Sequence, residues 1–176
     1  VYSRIAAAKN ELIGPKEYES RSSDFFETRV AQVYYLYEKK LQQNGALDFG
    51  DLIFKTVTLF QTTPEVLESY RHQLHYILID EYQDTNRAQY ILTRLLSEPR
   101  NNLCVVGDDD QSIYRWRGAD IQNILNFEAD YSGCKVIRLE QNYRSTQTIL
   151  SLANSVISNN QGRKGKNLWT SNGGGE

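Results

Sequence analysis

The chain has 176 residues, 40% of them hydrophobic, which is enough for one ordinary domain, or pieces of two, with a sizeable buried core. Charged residues make up 24% and nearly cancel to a formal net charge of −2, so there is no global attraction to a polyanion and any nucleic-acid contact must be local. The two cysteines, Cys104 and Cys134, form no CxxC pair and lie in apolar stretches, which argues against a disulfide framework or a thiolate metal site and for reduced, buried thiols in a cytoplasmic protein. Apolar runs such as Tyr76 to Ile79 and Leu103 to Val106 are far too short to span a bilayer, and no secretory signal opens the chain. The chain begins at Val1 and contains no methionine, so we expect a fragment whose translation start lies elsewhere; nothing points to an oligomer.

The spacing predicts a helix over residues 1–13, stopped by Gly14-Pro15. Asp24 with Glu27 reads as a capping box for a long helix carrying Phe26, Val30, Val33, Tyr37 and Leu41, whose crowded tyrosines Tyr34, Tyr35 and Tyr37 suit packing in a helical layer. Asn44-Gly45 ends that helix. A further helix runs from Asp48 to about Gln61, and Thr63 with Pro64 at the first helical position starts a shorter one. From His75 onward a short apolar strand, a polar loop and an amphipathic helix follow one another three times. The strands are Tyr76–Ile79, Leu103–Val106 and Lys135–Leu139; the helices carry Ala88, Ile91, Leu92 and Leu95, then Ile121, Ile124 and Leu125, then Ile149, Leu152, Ala153, Val156 and Ile157. Unbroken apolar strands separated by helices imply parallel sheets buried on both faces, and hence an α/β architecture behind a helical N-terminal part, whether or not all three strands share one sheet. Residues 159–166 and 171–176 read as loops.

Parallel α/β sheets bind ligands beyond the carboxyl ends of their strands, and here each of those ends is polar. Asp80 and Glu81 are delivered side by side with diverging side chains, so one carboxylate is available to a magnesium ion and the other to an attacking water. A helix cap is the plainer alternative for this pair. After the second strand, Gly107 to Gly118 holds three aspartates, then Gln111, whose amide can reach a γ-phosphate. Tyr114, Arg115, Trp116 and Arg117 follow, alternating rings that stack on bases with guanidinium groups that pair with phosphates. The alternative for Tyr114 and Trp116 is core packing, and the glycine and distal glutamate of an EF-hand are absent. The third strand ends in Asn142-Tyr143-Arg144-Ser145, which places Arg144 just before an N-cap serine, positioned either to stabilise a transferring phosphoryl group or simply to form a surface ion pair.

Taken together, Asp80 to Asn86, Gly107 to Ala119 and Leu139 to Ser145 resemble motifs II, III and IV of superfamily 1 DNA helicases of the UvrD/Rep/PcrA type. Leu47 to Ile53 resembles the helix that re-enters their first motor domain. The likeness covers nearly the whole chain and is nearest to the PcrA pattern, and three long motifs in order are far more specific than one short one. The resemblance implies an ATP- and Mg2+-dependent motor moving 3′ to 5′ on single-stranded DNA and unwinding duplex DNA, with other repair or replication proteins as possible company. It further implies that Asp80 coordinates Mg2+, Glu81 activates water, Gln111 senses the γ-phosphate, Tyr143 stacks near adenine and Arg144 is an arginine finger, while Tyr114, Trp116 and Arg117 contact single-stranded DNA. On the same basis residues 1–46 correspond to the helical 1B insertion, 47–136 to the later half of RecA-like domain 1A, and 137–176 to the start of RecA-like domain 2A. The motor of a helicase-nuclease and a non-enzymatic DNA- or partner-binding module are the alternatives.

The chain departs from the family pattern in two respects: the later helicase motifs of domain 2A are absent, and there is no GxxxxGK loop followed by Ser or Thr, the run Gly162-Arg163-Lys164-Gly165-Lys166 having the wrong spacing to replace it. Nothing else in the sequence cradles β- and γ-phosphates. The purified 176-residue chain is therefore expected neither to hydrolyse ATP at a useful rate nor to unwind DNA. A DNA-stimulated ATPase activity in that preparation, abolished by Glu81→Gln, would contradict this.

Overall fold

The computed structural model describes residues 1–175, so the terminal Glu176 of the predicted C-terminal loop lies outside the described residues. Helix α1 spans Tyr2–Asn10 and is followed by α2, Pro15–Arg21. The second helix was not expected: Pro15 occupies its first turn, where no N–H is needed, so Gly14-Pro15 ends one helix and begins another. Helix α3, Phe25–Gln43, is capped by the Asp24 carboxylate, which accepts from the Glu27 N–H at 2.7 Å, while Glu27 reaches back to Ser23 rather than to Asp24. Its buried face carries Val30, Ala31 and Tyr34. Phe26 and Val33, expected on that face, are exposed because the inward stripe is rotated onto Tyr34. Tyr34 donates to the Ile13 carbonyl at 3.1 Å, packs edge-on against Tyr18 of α2, and shares a cluster with Ile5, Ala8 and Val30.

Helix α4, Phe49–Thr62, starts from a full capping box between Asp48 and Asp51, and α5, Pro64–Gln73, follows at once. One buried charge joins these pieces. Lys9, 1% exposed, places its ammonium 2.7 Å from Glu38, 2.8 Å from Asp48 and 2.9 Å from Asp51, so the end of α1, the middle of α3 and the start of α4 share one ion cluster. Tyr37 adds a hydrogen bond to Asp48 at 2.9 Å. Gly50 packs close beside this cluster, where a Cβ would lie 3.0 Å from Lys9 Cδ. Burial works against the Lys9 charge, but the hydrogen bonds its ammonium donates to Asp48, Glu38 and Asp51 outweigh it and raise its pKa above 10.5. Burial likewise works against the Asp48 charge, yet Lys9, the Asp51 N–H and Tyr37 hold its pKa below 3.8. Tyr37, partly shielded and hydrogen-bonded to Asp48, is pushed up to about 12.

Strand β1, Ile77–Ile79, pairs in parallel with β2, Leu103–Val105, Ile77 lying opposite Leu103. Between them runs α6, Arg87–Ser97, capped by Asn86 and packed against α4 and α5. The α/β class and the parallel pairing stand, but the expected third strand does not form. Residues 135–139 form no strand; just beyond them Gln141 forms an isolated bridge with Trp169, the only such pairing of this stretch among the described residues. The strands are not buried on both faces either: Leu78 is 76% exposed and Cys104 is exposed, because two paired strands leave one sheet face uncovered, so the expected burial of the thiols fails at Cys104, while Cys134, outside the strands, is half-buried. After β2 come the short helices α7, Gln122–Leu125, and α8, Phe127–Asp130, and finally α9, Gln147–Ile157. The N-cap of α9 is Thr146, not Ser145, and only Leu150 is buried on it, leaving Ile149, Leu152 and Val156 in solvent.

Replacing Lys9 by Met takes the cation from Asp48 and leaves Glu38 and Asp51 with only the half-exposed Lys55, at 3.3 and 3.7 Å. The expected cost is about 3–5 kcal/mol, read from urea unfolding, and a loss below about 1 kcal/mol would assign the cluster the weight of a surface ion pair. The pH dependence has two limbs. The Asp48 contribution is present above 3.8 and lost as pH falls through its lower folded value. That of Lys9 is complete below 10.5 and lost only as pH rises through its higher folded value, while that of Tyr37 begins to be lost above 10.0, so the contribution of this cluster is expected to be flat between 3.8 and 10.0.

Candidate catalytic and nucleic-acid-binding site

The carboxyl ends of β1 and β2 converge, as the sequence led us to expect. Asp80 follows β1 directly, is exposed, and accepts the Glu81 N–H at 2.9 Å, while Glu81 turns into the left-handed region at φ 51°. The two carboxylates have different partners, that of Asp80 the backbone just after it and that of Glu81 a side chain two residues on. A 3-10 turn over Tyr82–Asp84 then buries Gln83, 1% exposed, beneath both strand ends. The Gln83 amide donates to the Glu81 carboxylate at 2.7 Å, and its carbonyl oxygen accepts the Asp108 N–H at 2.9 Å. Asp108 in turn accepts the Gln111 side-chain amide at 2.6 Å. Glu81 and Gln111, one from each strand end, are thus joined through Gln83 and Asp108. Gly107 permits this approach, because a Cβ at that position would lie 2.6 Å from the Gln83 oxygen and 2.7 Å from Ile124.

Downstream of Gln111 a 3-10 turn over Arg115–Arg117 presents the ring and guanidinium cluster. The Arg117 guanidinium lies 4.8 Å from the Tyr114 ring centre and 4.6 Å from that of Trp116, and Trp116 is 74% exposed. Core packing is therefore ruled out for Trp116. Cation–π contact at such an exposed site is worth about 0.5–1 kcal/mol and orders the rings without covering them. Asn10, at the end of α1, donates to the Arg117 carbonyl at 3.0 Å and accepts from Asn86, the cap of α6, at 3.1 Å, so the loop is braced from the helical layer.

The third group of expected site residues lies apart. Tyr143 is 77% exposed and bonds to Gln141, and the Arg144 N–H is held by Asn142. Among the described residues no hydrogen bond or ion pair connects Arg144 or Tyr143 with Asp80, Glu81 or Gln111. The carboxylates of Asp108, Asp109 and Asp110 lie within 4.8 Å of one another, but basic groups already engage them. Arg163 forms a two-pronged pair with Asp110 at 2.7 and 2.5 Å, the Lys164 N–H reaches Asp109 at 2.7 Å, and the Lys166 ammonium pairs with Asp108. By chemistry alone the solvent-facing oxygens of Asp80 and Glu81 suit Mg2+ better, since that ion keeps much of its own water.

The model of the UvrD/REP helicase N-terminal domain matches residues 1–132, and that of the UvrD-like helicase C-terminal domain matches residues 137–176. The chain belongs to the UvrD/REP helicase family. It is 58% identical over 172 residues to the ATP-dependent DNA helicase PcrA of Bacillus subtilis (strain 168), covering 98% of this chain and 23% of that protein. The proteins of the same name from Staphylococcus aureus (strain NCTC 8325 / PS 47) and Staphylococcus epidermidis (strain ATCC 12228 / FDA PCI 1200) are 57% and 56% identical over the same 98% of the chain, which is 24% of each. The chain thus spans about a quarter of the length of the curated relatives it matches. Among the described residues no helix is long and apolar enough to cross a membrane.

Residue-by-residue reading missed Gln83, Asn10 and the docking of Arg163 and Lys166. In the sequence Gln83 is only an amide two places beyond the carboxylate pair, and the basic run 163–166 carries no signal beyond a phosphate loop of the wrong spacing. Gln83→Leu keeps the volume but leaves the Asp108 N–H and the Glu81 carboxylate without their partner. A loss of about 1–3 kcal/mol is expected in chemical denaturation, and a change under about 0.5 kcal/mol would show that the relay is not structural.

Proposed function

We propose that this chain carries the hydrolytic and DNA-coupling part of an ATP-dependent 3′ to 5′ DNA helicase motor. Three things support this: family membership, the likeness to ATP-dependent DNA helicases of the PcrA type, and above all the bonded path from Glu81 through Gln83 and Asp108 to Gln111. Hydrolysis of a phosphoanhydride needs a positioned water, and a group that registers whether the γ-phosphate is present. In our reading Glu81 accepts the proton of the water, Asp80 holds Mg2+, which would neutralise phosphate charge when bound, and Gln111 faces the γ-phosphate. Tyr143 stacks near the adenine and Arg144 acts as an arginine finger, which requires the segment after residue 137 to close on the strand ends. The exposed Trp116, with Tyr114 and Arg117, stacks on and pairs with single-stranded DNA, so DNA contact lies three to six residues from the phosphate-sensing amide. The proposed division is residues 1–46 as part of a 1B insertion, 47–136 as domain 1A and 137–176 as the start of 2A, supported by family matches that give way to one another between residues 132 and 137. Single-stranded and duplex DNA are then the partners, ATP the fuel, and the cytoplasm the place of action.

The test is DNA-stimulated ATP hydrolysis by the full-length protein. Glu81→Gln is expected to lower kcat by at least about 10²-fold while leaving nucleotide binding in place, the scale of a lost general base. An unchanged kcat would contradict the assignment.

A further inference from the structure

The pairing of the basic loop with the acidic turn has no place in the hydrolytic scheme above. Three groups on residues 163–166 meet three successive aspartates: Arg163 grips Asp110 with two hydrogen bonds, the Lys164 N–H binds Asp109, and the Lys166 ammonium binds Asp108. Lys164 also sends its side chain to Glu128. Ion pairs in full solvent contribute little, but Arg163, Asp110, Lys166 and Asp108 are all largely shielded, with side-chain exposures of 19%, 10%, 21% and 22%. The two segments are more than fifty residues apart in sequence, and the contact ties the stretch after α9 to the turn after β2.

Asp108 divides its two oxygens. Oδ1 takes Lys166 and the Asp110 N–H, and Oδ2 takes the Gln111 side-chain amide at 2.6 Å. A primary amide has two N–H groups and one carbonyl oxygen; with one N–H committed to Asp108, the second N–H and the oxygen are left to face a phosphate or a water. A carboxylate free to rotate would not hold the amide in one orientation, whereas one fixed on its far side by an ammonium does. We propose that Lys166 and Asp108 are positioning residues for Gln111, so that docking of the 163–166 loop on the acidic turn sets the direction in which the Gln111 amide is presented. The inference rests on the reading of Gln111 as the phosphate-facing group, and it adds that the orientation of this group depends on the C-terminal segment being seated. Lys164 and Arg163 supply the seat, and Lys166 transmits it.

The test uses the 176-residue chain without nucleotide, so it is independent of whether Gln111 contacts ATP. The side-chain amide signals of Gln111 and Gln83 are followed by 15N NMR in the unsubstituted chain, in Lys166→Gln and in Lys166→Arg. In Lys166→Gln the Gln111 side-chain amide is expected to shift and to exchange with solvent several-fold faster, while the buried Gln83 amide and the backbone spectrum hold. Lys166→Arg, which keeps the charge, is expected to restore the Gln111 signal, and high salt to mimic Lys166→Gln. A Gln111 signal unmoved by Lys166→Gln, or one that moves together with Gln83, would overturn the proposal. Activity of the full-length protein then separates the two levels: if the relay holds but Gln111→Ala leaves kcat unchanged, the phosphate-facing reading fails and the relay remains.

Discussion

A lysine ammonium taken out of water must be neutralised where it sits, and that constraint organises the N-terminal half of this chain. Removing an ion from solvent costs several kcal/mol even after the protein relaxes, so Lys9 is tolerable only with carboxylates in direct contact. Glu38, Asp48 and Asp51 arrive from two different helices, which means that α1, α3 and α4 cannot shift independently. The cap of α4 is built from two of the same carboxylates. Helix initiation and charge neutralisation therefore use one set of atoms, and a change at Lys9 reaches both.

The consequence extends to the site, because the residue after Lys9 is Asn10. Fixing the end of α1 fixes the Asn10 side chain, which holds the Arg117 carbonyl on one side and the cap of α6 on the other. The exposed Trp116 and Tyr114 are thus carried on a loop braced by the helical layer rather than by their own packing. From the other direction, Gln83 lies under both strand ends and sets the spacing between Glu81 and Asp108. The proposed chemistry of water activation and phosphate sensing needs fixed relative positions, and these two braces provide them.

The strand ends were legible in the sequence because apolar runs of three or four residues followed by Asp80-Glu81 and by Gly107-Asp108 leave few alternatives. The family was legible for the same reason. Helix α2 was not, because Pro15 serves equally as a stop and as a first helical residue and only the surrounding packing decides between them. The inward face of α3 was misplaced because Phe26 and Val33 score as core by hydrophobicity, whereas Tyr34 earns its place through a hydrogen bond to Ile13 that no periodicity shows. The third strand failed for a different reason: Val136, Ile137 and Leu139 have the composition of a strand, but a strand requires a neighbour with matching register, and the chain's only pairing there is at Gln141 with Trp169 among the described residues. Lys9 carried no signal at all, since a single lysine in a helix is ordinarily a solvated one.

The central claim is that Glu81 and Gln111, from different strands, work as one site through Gln83 and Asp108. A double-mutant cycle on ATP turnover by the full-length protein tests it most directly, comparing Glu81→Gln, Gln111→Ala and the pair. Residues acting as a unit are expected to be non-additive, with an interaction energy of about 0.5–3 kcal/mol, whereas effects that add to within about 0.3–0.5 kcal/mol would show two independent groups and contradict the account.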